Sequence, residues 1–369
     1  MSKREYADAG VDPSKIAPFK HAMVEMGKRT LSFPLRREVQ VESHAHGALL
    51  KYVGKHPHTW GSTQEGLGNK NWIAEWMAQY AGRGETYYEA IGIDTALMAV
   101  NDVITTGAMP VEYKDEVATG DSEWFQNVAR ARDLANGFFK VCQLVGMALP
   151  AGESPSLRYL IKAEPPVKSA PVLSGSVIGI IAPASRFIDE HQLQIGDHII
   201  GAPSTGLHAN GISLVIKRAL LLPEQFLTPL PSGRTLGDEA LIPTRSYVSL
   251  VEALLDNEVN IHALLPGTGD GVSKVAFDDR PFTYRIHSWV AVPPLFQYMR
   301  ELGVTLQECL LTFNWGIGYY IFVPPHEVER TLAIGRKTRH DLIDLGRVEK
   351  GERKVIFEPE NITLPPPAF

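Results

Sequence analysis

Apolar and polar residues alternate along the chain with two different periods, and the longer period predicts helices. In the segment NWIAEWMAQYAG the apolar positions fall on one helical face, and Gly82 follows at a position suited to end the helix. These positions are Trp72, Ile73, Trp76, Met77 and Tyr80.

A second, longer helix is predicted from Ser122 to about Val145, with Gly146 at its end. Its apolar positions should point inward because they recur every three or four residues. They are Trp124, Phe125, Val128, Phe138, Val141, Cys142 and Val145.

Three shorter runs, SVIGIIAP, DHIIGAP and GIGYYIFVP, are rich in β-branched or apolar residues and bounded by Gly or Pro, which predicts strands. Helices and strands therefore alternate, and the expected fold class is α/β or α+β. Turn-rich, charged sequence follows Pro183, so we place a domain boundary there, giving domains 1–183 and 184–369. A chain of 369 residues is long for one hydrophobic core and suits two.

Composition narrows the possible partners. With 36 Lys and Arg against 42 Asp and Glu, the net charge of −6 gives no basic excess for binding nucleic acid or a membrane surface. Cys142 and Cys309 lie far apart, which argues against a disulfide framework or a thiolate zinc site. The start of the sequence lacks the apolar core of a secretion signal, and we expect a cytoplasmic protein.

The segment STQEGLGNK precedes the first predicted helix. Gly66 and Gly68 would let the backbone approach a phosphate, the helix start supplies N–H donors, and Lys70 adds positive charge beside Glu65. An ordinary glycine-containing loop with a solvated lysine is the alternative, because the segment matches neither GxxxxGK[ST] nor GxGxxG.

The segment GIDTALMAVNDVITTGAMP places acids in an apolar, helix-compatible run. Asp94 and Asn101 lie seven residues apart and share a helical face, while Asp102 lies about 80° further round. Acids in such surroundings need a partner, and a divalent metal is one solution. Helix capping, or pairing with a nearby Arg or Lys, is the other.

Three further loops carry candidate chemistry. In PAGESPS, Glu153 follows the strand-like MALP, at the kind of strand end where α/β proteins bind ligands. The loop PSTGLHANGISL joins a strand to a helix and carries His208 and Asn210. The loop LLPGTGDGVSK is glycine-rich, and both loops suit a phosphate or sugar phosphate. The candidate residues of the glycine-rich loop are Gly267, Gly269, Asp270, Gly271 and Lys274.

Two HxH pairs, His44 with His46 and His56 with His58, raise the alternative of a transition-metal site. The intervening Gly47 and Pro57 argue against one continuous face of histidine ligands. We therefore expect the bound metal ion to be Mg²⁺ and not a transition metal.

Taken in order, these segments resemble the aminoimidazole ribonucleotide synthetase family. STQEGLGNK resembles the family's TDGVGTK, VNDVITTGAMP its VNDL-GAEP, PAGESP its GGET, and TFNWGIGYYIFVP its TFNMGIG strand. GDHIIGAPSTGLHANGISL resembles the signature GD-LIGL-SSG-HSNGYSL. The resemblance runs from about Tyr6 to the GRVEKG segment near Arg347.

The chain departs from the family pattern at several points. Glu65 stands where the family has aspartate, and Ala151, Gly152, Glu153 and Ser154 replace GGET. SHAHGALLKY matches the family's GGFGALFDL poorly, and LPGTGDG is longer than its TGGG loop.

The resemblance implies an enzyme with two such domains, an N-terminal one for ATP binding and dimerisation and a C-terminal synthetase domain. It implies ATP-dependent ring closure of formylglycinamidine ribonucleotide to aminoimidazole ribonucleotide, with Mg²⁺ as cofactor. It also implies a homodimer in which N-terminal strands form a shared barrel.

Residue by residue, the resemblance places the magnesium ligands at Glu65, Asp94, Asp102 and Glu153, and adds to the ATP contacts Gly66, Gly68, Lys70, Asn101 and Gly152. Lys70, Asp102 and His208 would be the catalytic residues. The ribonucleotide would contact His208, Asn210 and the residues Gly267, Gly269, Asp270 and Gly271.

Two alternatives remain open. Another ATP-using member of the same superfamily, either a small-molecule kinase or an amidotransferase-type synthetase, would share the fold. A non-catalytic nucleotide-binding relative would share it as well. Retention of Asp94, Asp102 and Glu153 favours a working enzyme.

Overall fold

The structure is a computed structural model that describes residues 2–44 and 46–367. The chain divides into two compact units. The first contains the residues up to 103 together with 109–184, and the second contains 104–108 together with the residues from 185 onward. The mixed α/β fold predicted from the sequence is confirmed.

The first unit alternates helices and strands. Its helices are α1 (Ser2–Asp8), α2 (Pro13–Thr30), α3 (Lys70–Tyr80), α4 (Tyr88–Val103) and α5 (Val128–Val145). Its strands are β1 (Val39–His44), β2 (Gly47–Tyr52), β3 (Thr59–Gly66), β4 (Met109–Ala118), β5 (Ala148–Glu153) and β6 (Val172–Ile181).

Strands β3, β6, β4 and β5 form a sheet in that order, in which β4 and β5 are parallel and the other pairs are antiparallel. Helices α4 and α5 pack closely together through two glycines. A Cβ on Gly92 would lie 2.6 Å from the Leu134 carbonyl oxygen, and one on Gly137 would lie 2.3 Å from that of Glu89. Only glycine permits so close a contact between helices.

The hairpin β1–β2 covers part of this unit's core. Val39 and Val41 of β1 pack with Val111 of β4, Ala148 of β5 and Ile180 of β6.

The predicted helix from Ser122 to Val145 is in fact two elements. Residues Ser122–Gln126 form a separate 3-10 turn, and α5 begins only at Val128. Asp121 and Asn127 each accept a hydrogen bond from a backbone N–H at the start of the following element, which divides the run into two capped pieces. Val128, predicted to point inward, is 47% exposed. The predicted end at Gly146 is confirmed, where φ is 71°.

The second unit is also mixed. Its helices are α6 (Ile212–Ala219), α7 (Leu236–Ala240), α8 (Val248–Asp256), α9 (Pro294–Glu301), α10 (Leu306–Thr312) and α11 (Val328–Lys337). Its strands are β7 (His198–Pro203), β8 (Ala263–Pro266), β9 (Phe282–Ile286), β10 (Ile317–Val323), β11 (Ile343–Lys350), β12 (Lys354–Phe357) and β13 (Ile362–Leu364). They form a sheet in the order β13-β12-β9-β11-β7-β10-β8.

The short segment 104–108 belongs to the second unit although residues of the first unit precede and follow it. The Ile188 N–H donates to the Thr106 carbonyl oxygen at 3.1 Å, and a Cβ on Gly107 would lie 2.3 Å from the Arg186 carbonyl oxygen. Ile104 and Ala108 are fully buried.

None of the helices in the described part of the chain has the length and apolar content that crossing a bilayer requires.

Candidate active site

Two of the predicted segments lie together where several strands of the first unit's sheet end, which we call the sheet edge. Strands β3, β4 and β5 all end at this edge, and β6 begins there. In register across the four strands, Glu65 lies opposite Gly175, which lies opposite Asp115, which lies opposite Gly152. The structure therefore brings the Glu65 loop and the Gly152–Glu153 turn to the same edge.

The next row contains Gly66, Ser174, Glu116 and Glu153. Successive residues of a strand point to opposite faces, so Glu65 and Glu153 point to opposite faces of the sheet. Three strand spacings of about 4.8 Å separate their strands, which places their backbones roughly 14 Å apart. The side chain of Glu153 is exposed and accepts a hydrogen bond from the Ser154 N–H at 2.9 Å.

Lys70, at the start of α3, forms a buried ion pair with Asp94 of α4. The ammonium nitrogen lies 2.7 Å from Asp94 Oδ2, and both side chains are 0% exposed. Burial lowers the pKa of Lys70, and the charge of Asp94 opposes that shift. The sequence left two kinds of partner open for Asp94, a metal ion or local capping and ion pairing. The structure places a basic side chain, that of Lys70, beside it.

Asn101 and Asp102 lie in the last turn of α4. Asn101 is buried and Asp102 is half-buried. Asn101 shares a helical face with Asp94, as predicted from their spacing.

Asp115 is a charged residue of this edge that the sequence analysis did not single out. It is 6% exposed, and its Oδ1 has no hydrogen-bond partner among the residues that the structure describes. Burial, and to a lesser extent the nearby charge of Glu153, raise the pKa of Asp115 to about 7. Its carboxylate occupies the space beside Gly152, where a Cβ would lie 2.1 Å from Oδ1. An acid inside the strand VEYKDEVA was a possible signal, but the four charged residues of that segment favour an ordinary solvated strand.

The second unit brings its two predicted loops to one edge of its own sheet. Strands β7 and β8 are both antiparallel to β10 and flank it on either side. Pro203 at the end of β7 and Pro266 at the end of β8 both lie beside the start of β10. The loops with His208 and with Gly267–Gly271 therefore leave the sheet from the same edge.

His208 is 1% exposed and has a left-handed backbone with φ 55°. Its Nε2 accepts a hydrogen bond from the Thr205 N–H at 3.2 Å, so the imidazole caps its own loop. Its Cε1 packs against Gly318, where a Cβ would lie 2.7 Å away. The loop-capping role is thus present in the structure, and a catalytic role for His208 stays a prediction.

Asn314 is a second residue that the sequence analysis missed. Its Nδ2 donates to the carbonyl oxygens of Gly206 and Leu207 at 2.8 and 3.4 Å. Its Oδ1 accepts from the Ser204 hydroxyl at 3.0 Å and from the Gly316 N–H at 2.9 Å. The start of the TFNWGIG strand therefore fixes the conformation of the loop that carries His208. Long-range bonds of this kind leave no local signal in the sequence.

The remaining predicted residues line the same edge. Asn210 is half-buried, and its Nδ2 has no hydrogen-bond partner within the described part of the chain. Gly267 packs against β10, where a Cβ would lie 2.4 Å from the Ile317 carbonyl oxygen. Asp270 is exposed, with φ 51°, between Gly269 and Gly271, which also have positive φ. Such a turn presents backbone groups rather than side chains to a ligand.

The HxH histidines do not share one strand. His44 ends β1, His46 lies in the following turn, and His56 and His58 precede β3. The His58 ring packs against Tyr52, with 4.4 Å between ring centroids. Among residues 2–44 and 46–367, no three His, Cys, Asp or Glu side chains are grouped closely enough to hold a metal ion.

Comparison with known proteins defines the class. Residues 74–181 match the family described as AIR synthase related protein, N-terminal domain, and residues 194–358 match its C-terminal domain. The chain belongs to the AIR synthase related family, which confirms the resemblance drawn from its motifs.

Two relatives show how far the similarity extends. A phosphoribosylformylglycinamidine cyclo-ligase of Pyrococcus horikoshii is 30% identical over 97% of this chain and 99% of its own length. One from Syntrophus aciditrophicus is 31% identical over 95% of this chain and 97% of its own length.

Solved structures share the fold at lower identity. The thiamine-monophosphate kinase of Stenotrophomonas maltophilia has a TM-score of 0.60 at 16% identity, covering 91% of this chain and 96% of its own. The hydrogenase maturation protein HypE has a TM-score of 0.58 at 17% identity, covering 90% and 94%.

Proposed function

We propose that this protein is a phosphoribosylformylglycinamidine cyclo-ligase, which uses ATP to close the imidazole ring of aminoimidazole ribonucleotide in purine biosynthesis. The observation that carries the proposal is the near end-to-end similarity, at about 30% identity, to proteins with that name. Similarity over the whole of both domains supports the same reaction better than similarity of fold alone, which the kinase and HypE also have.

The reaction needs mainly positioning and charge neutralisation. ATP phosphorylates the formyl amide oxygen, the substrate's own amine attacks that carbon, and phosphate leaves. Phosphoryl transfer of this kind needs little covalent help from the protein. The loop of Gly66 and Gly68 would lie along the nucleotide phosphates, and the second unit's edge, with Asn210 and the Gly267–Gly271 turn, would bind the ribonucleotide.

Mg²⁺, when bound, would neutralise charge on the triphosphate. The carboxylates of the first unit's sheet edge fit such an ion by their chemistry, since hard oxygen donors suit Mg²⁺. Protein sites for Mg²⁺ commonly supply only one or two carboxylates, with substrate phosphates and water completing the shell. Because Glu65 and Glu153 point to opposite faces of the sheet, these two carboxylates of one chain would not hold the same ion together. Asp102 is the third accessible candidate, whereas Asp94 would act through Lys70.

A homodimer belongs to the same proposal. Strand β3 is the outermost strand on one side of its sheet, and no strand of the described chain pairs with its outer side. An outermost strand of eight residues exposes unpaired backbone N–H and C=O groups, and pairing with the same strand of a second protomer would satisfy them. The expected cytoplasmic location is also part of the proposal.

The decisive experiment incubates the purified protein with ATP, Mg²⁺ and formylglycinamidine ribonucleotide. We expect aminoimidazole ribonucleotide, ADP and phosphate in equal amounts. A kinase would instead leave the phosphoryl group on the acceptor, and a non-catalytic relative would bind nucleotide without turnover. Either result would overturn the proposal.

Variants test the site within that assay. Glu153→Gln and Asp102→Asn should each nearly abolish ATP turnover and leave the melting temperature close to that of the wild type. Full turnover in both variants would refute the metal assignment. Activity should also survive a transition-metal chelator once magnesium is restored, because a triphosphate needs a hard cation.

A further inference from the structure

A cavity of about 310 Å³ lies beyond the edge of the first unit's sheet. Gly120 and Asp121, which follow β4, line one side. The other side comes from residues 154–171, the connection between β5 and β6, which contributes Arg158, Lys162 and Lys168. The cavity thus lies just beyond the carboxyl ends of the parallel strands β4 and β5, where α/β proteins commonly bind ligands.

Charge distinguishes this cavity. Its three basic side chains face a single acid, Asp121. The neighbouring cavity, of about 490 Å³, also contains Lys168, but acidic residues outnumber basic ones in its lining. There Arg130 is paired with Glu75 at 3.1 Å, and Glu85 and Glu123 add negative charge. Of these two cavities, the smaller one therefore presents a net positive lining.

The walls of the smaller cavity are held in place by backbone contacts. The Arg158 guanidinium donates to the Asp8 carbonyl oxygen at 2.6 Å. This hydrogen bond fixes the orientation of the planar guanidinium group. The Ile161 carbonyl packs against Gly120, where a Cβ would lie 2.6 Å from its oxygen. The Trp72 indole donates to the Glu164 carbonyl oxygen at 2.8 Å. A positioned guanidinium loses less side-chain entropy when it binds an anion.

We propose that Arg158, Lys162 and Lys168 form a binding site for the phosphate group of a small molecule. A guanidinium and two ammonium groups are the donors that recognise phosphate, and the cavity is large enough for a phosphate with part of the molecule attached. The phosphate belongs either to the nucleotide that the reaction consumes or to a separate phosphorylated small molecule. Only the first of these sources rests on the proposed function.

Isothermal titration of the full chain with inorganic pyrophosphate tests the site. We expect the double variant Arg158→Gln/Lys162→Gln to bind pyrophosphate at least about tenfold more weakly, the change expected for one lost charge-assisted hydrogen bond. Lys20→Gln, on the exposed side of α2, is the matched control and should bind like the wild type. Equal affinity in the double variant and the wild type would overturn the proposal.

The KM for ATP then distinguishes the two possible sources of the bound phosphate, the nucleotide and a separate small molecule. A rise of similar size in the double variant assigns the site to the nucleotide, and an unchanged KM assigns it to a separate phosphorylated molecule. Failure of the proposed ring closure would appear as the absence of aminoimidazole ribonucleotide with the wild type, which leaves the pyrophosphate titration interpretable. A thermal melt of each variant confirms that it is folded.

Discussion

At the scale of single residues, Gly152 is a position where a side chain has no room. A Cβ there would lie 2.1 Å from Oδ1 of the buried Asp115. We expect Gly152→Ala to lower the free energy of unfolding by about 1–3 kcal/mol, the usual cost of overpacking. Urea denaturation measures the change. Gly66→Ala, in the adjacent row of the same sheet, is the control, since its Cβ meets nothing closer than 3.9 Å.

If both variants were equally stable, Asp115 would have to move away from Gly152 without cost. That result would contradict the packing described for this sheet edge.

Asp115 predicts a pH dependence of stability. Its pKa is about 7 in the fold against an ordinary 3.8, so the folded state holds the proton more tightly than the unfolded chain. The resulting stabilisation is complete below pH 3.8 and is lost as the pH rises to about 7. We expect a loss of up to about 4 kcal/mol across that range in the wild type.

Asn cannot ionise, so Asp115→Asn should flatten this profile. Urea denaturation between pH 4 and pH 8, without divalent cations, gives both curves. Parallel curves for the two proteins would show that Asp115 does not titrate in this range.

Whether the sequence could indicate the role of a single residue depends on how far along the chain its interaction partner lies. The apolar run around Asp94 indicated that its carboxylate needed a partner, but the sequence could not choose between a cation and Lys70. That choice is made by the packing of α3 on α4, which joins residues 24 positions apart. Asp115 and Asn314 escaped notice for the same reason, because their surroundings come from other strands and loops.

At the scale of elements, Asn314 holds the loop between β7 and α6. We expect Asn314→Ala to lower the free energy of unfolding by about 1–3 kcal/mol, since buried backbone carbonyls lose their donor. It should also raise the KM for the ribonucleotide more than that for ATP, because this loop carries Asn210. Steady-state kinetics with each substrate varied in turn measures the difference.

Ser204→Ala removes only one of the bonds to Asn314 and is the matched control. Its effects should have the same direction and a smaller size. An unaltered ribonucleotide KM in Asn314→Ala would separate this loop from substrate binding.

The hydrophobic pattern predicted two helices and three strands, and it missed one boundary. The helix α3 and the strands β6, β7 and β10 form where the apolar pattern placed them. The run from Ser122 to Val145 was continuous in its pattern, yet Asp121 and Asn127 divide it by capping two separate starts. Side-chain caps compete with helix continuation at a single residue, which an average over several turns cannot detect.

At the scale of the whole molecule, the unpaired outer side of strand β3 predicts how two copies of the chain assemble. We expect a dimer by sedimentation velocity, and we expect Trp60→Lys to shift it toward monomer. Trp60 is 39% exposed on β3, and a charge on an edge strand opposes pairing with another strand. Leu221→Lys, at an exposed apolar position of the second unit, should leave the dimer intact.

A monomeric wild type would contradict the predicted assembly. The barrel itself could be inferred only from the family resemblance, because pairing between two copies of a strand leaves no periodic mark within one chain.

The placement of residues 104–108 bears on any attempt to produce the two halves separately. A fragment that stops at 184 would carry Ile104 and Ala108 without the residues that bury them. A fragment that starts at 185 would lack the carbonyl that accepts from the Ile188 N–H. A single cut between the halves therefore damages both, and independent expression would require the segment to be grafted from one fragment onto the other.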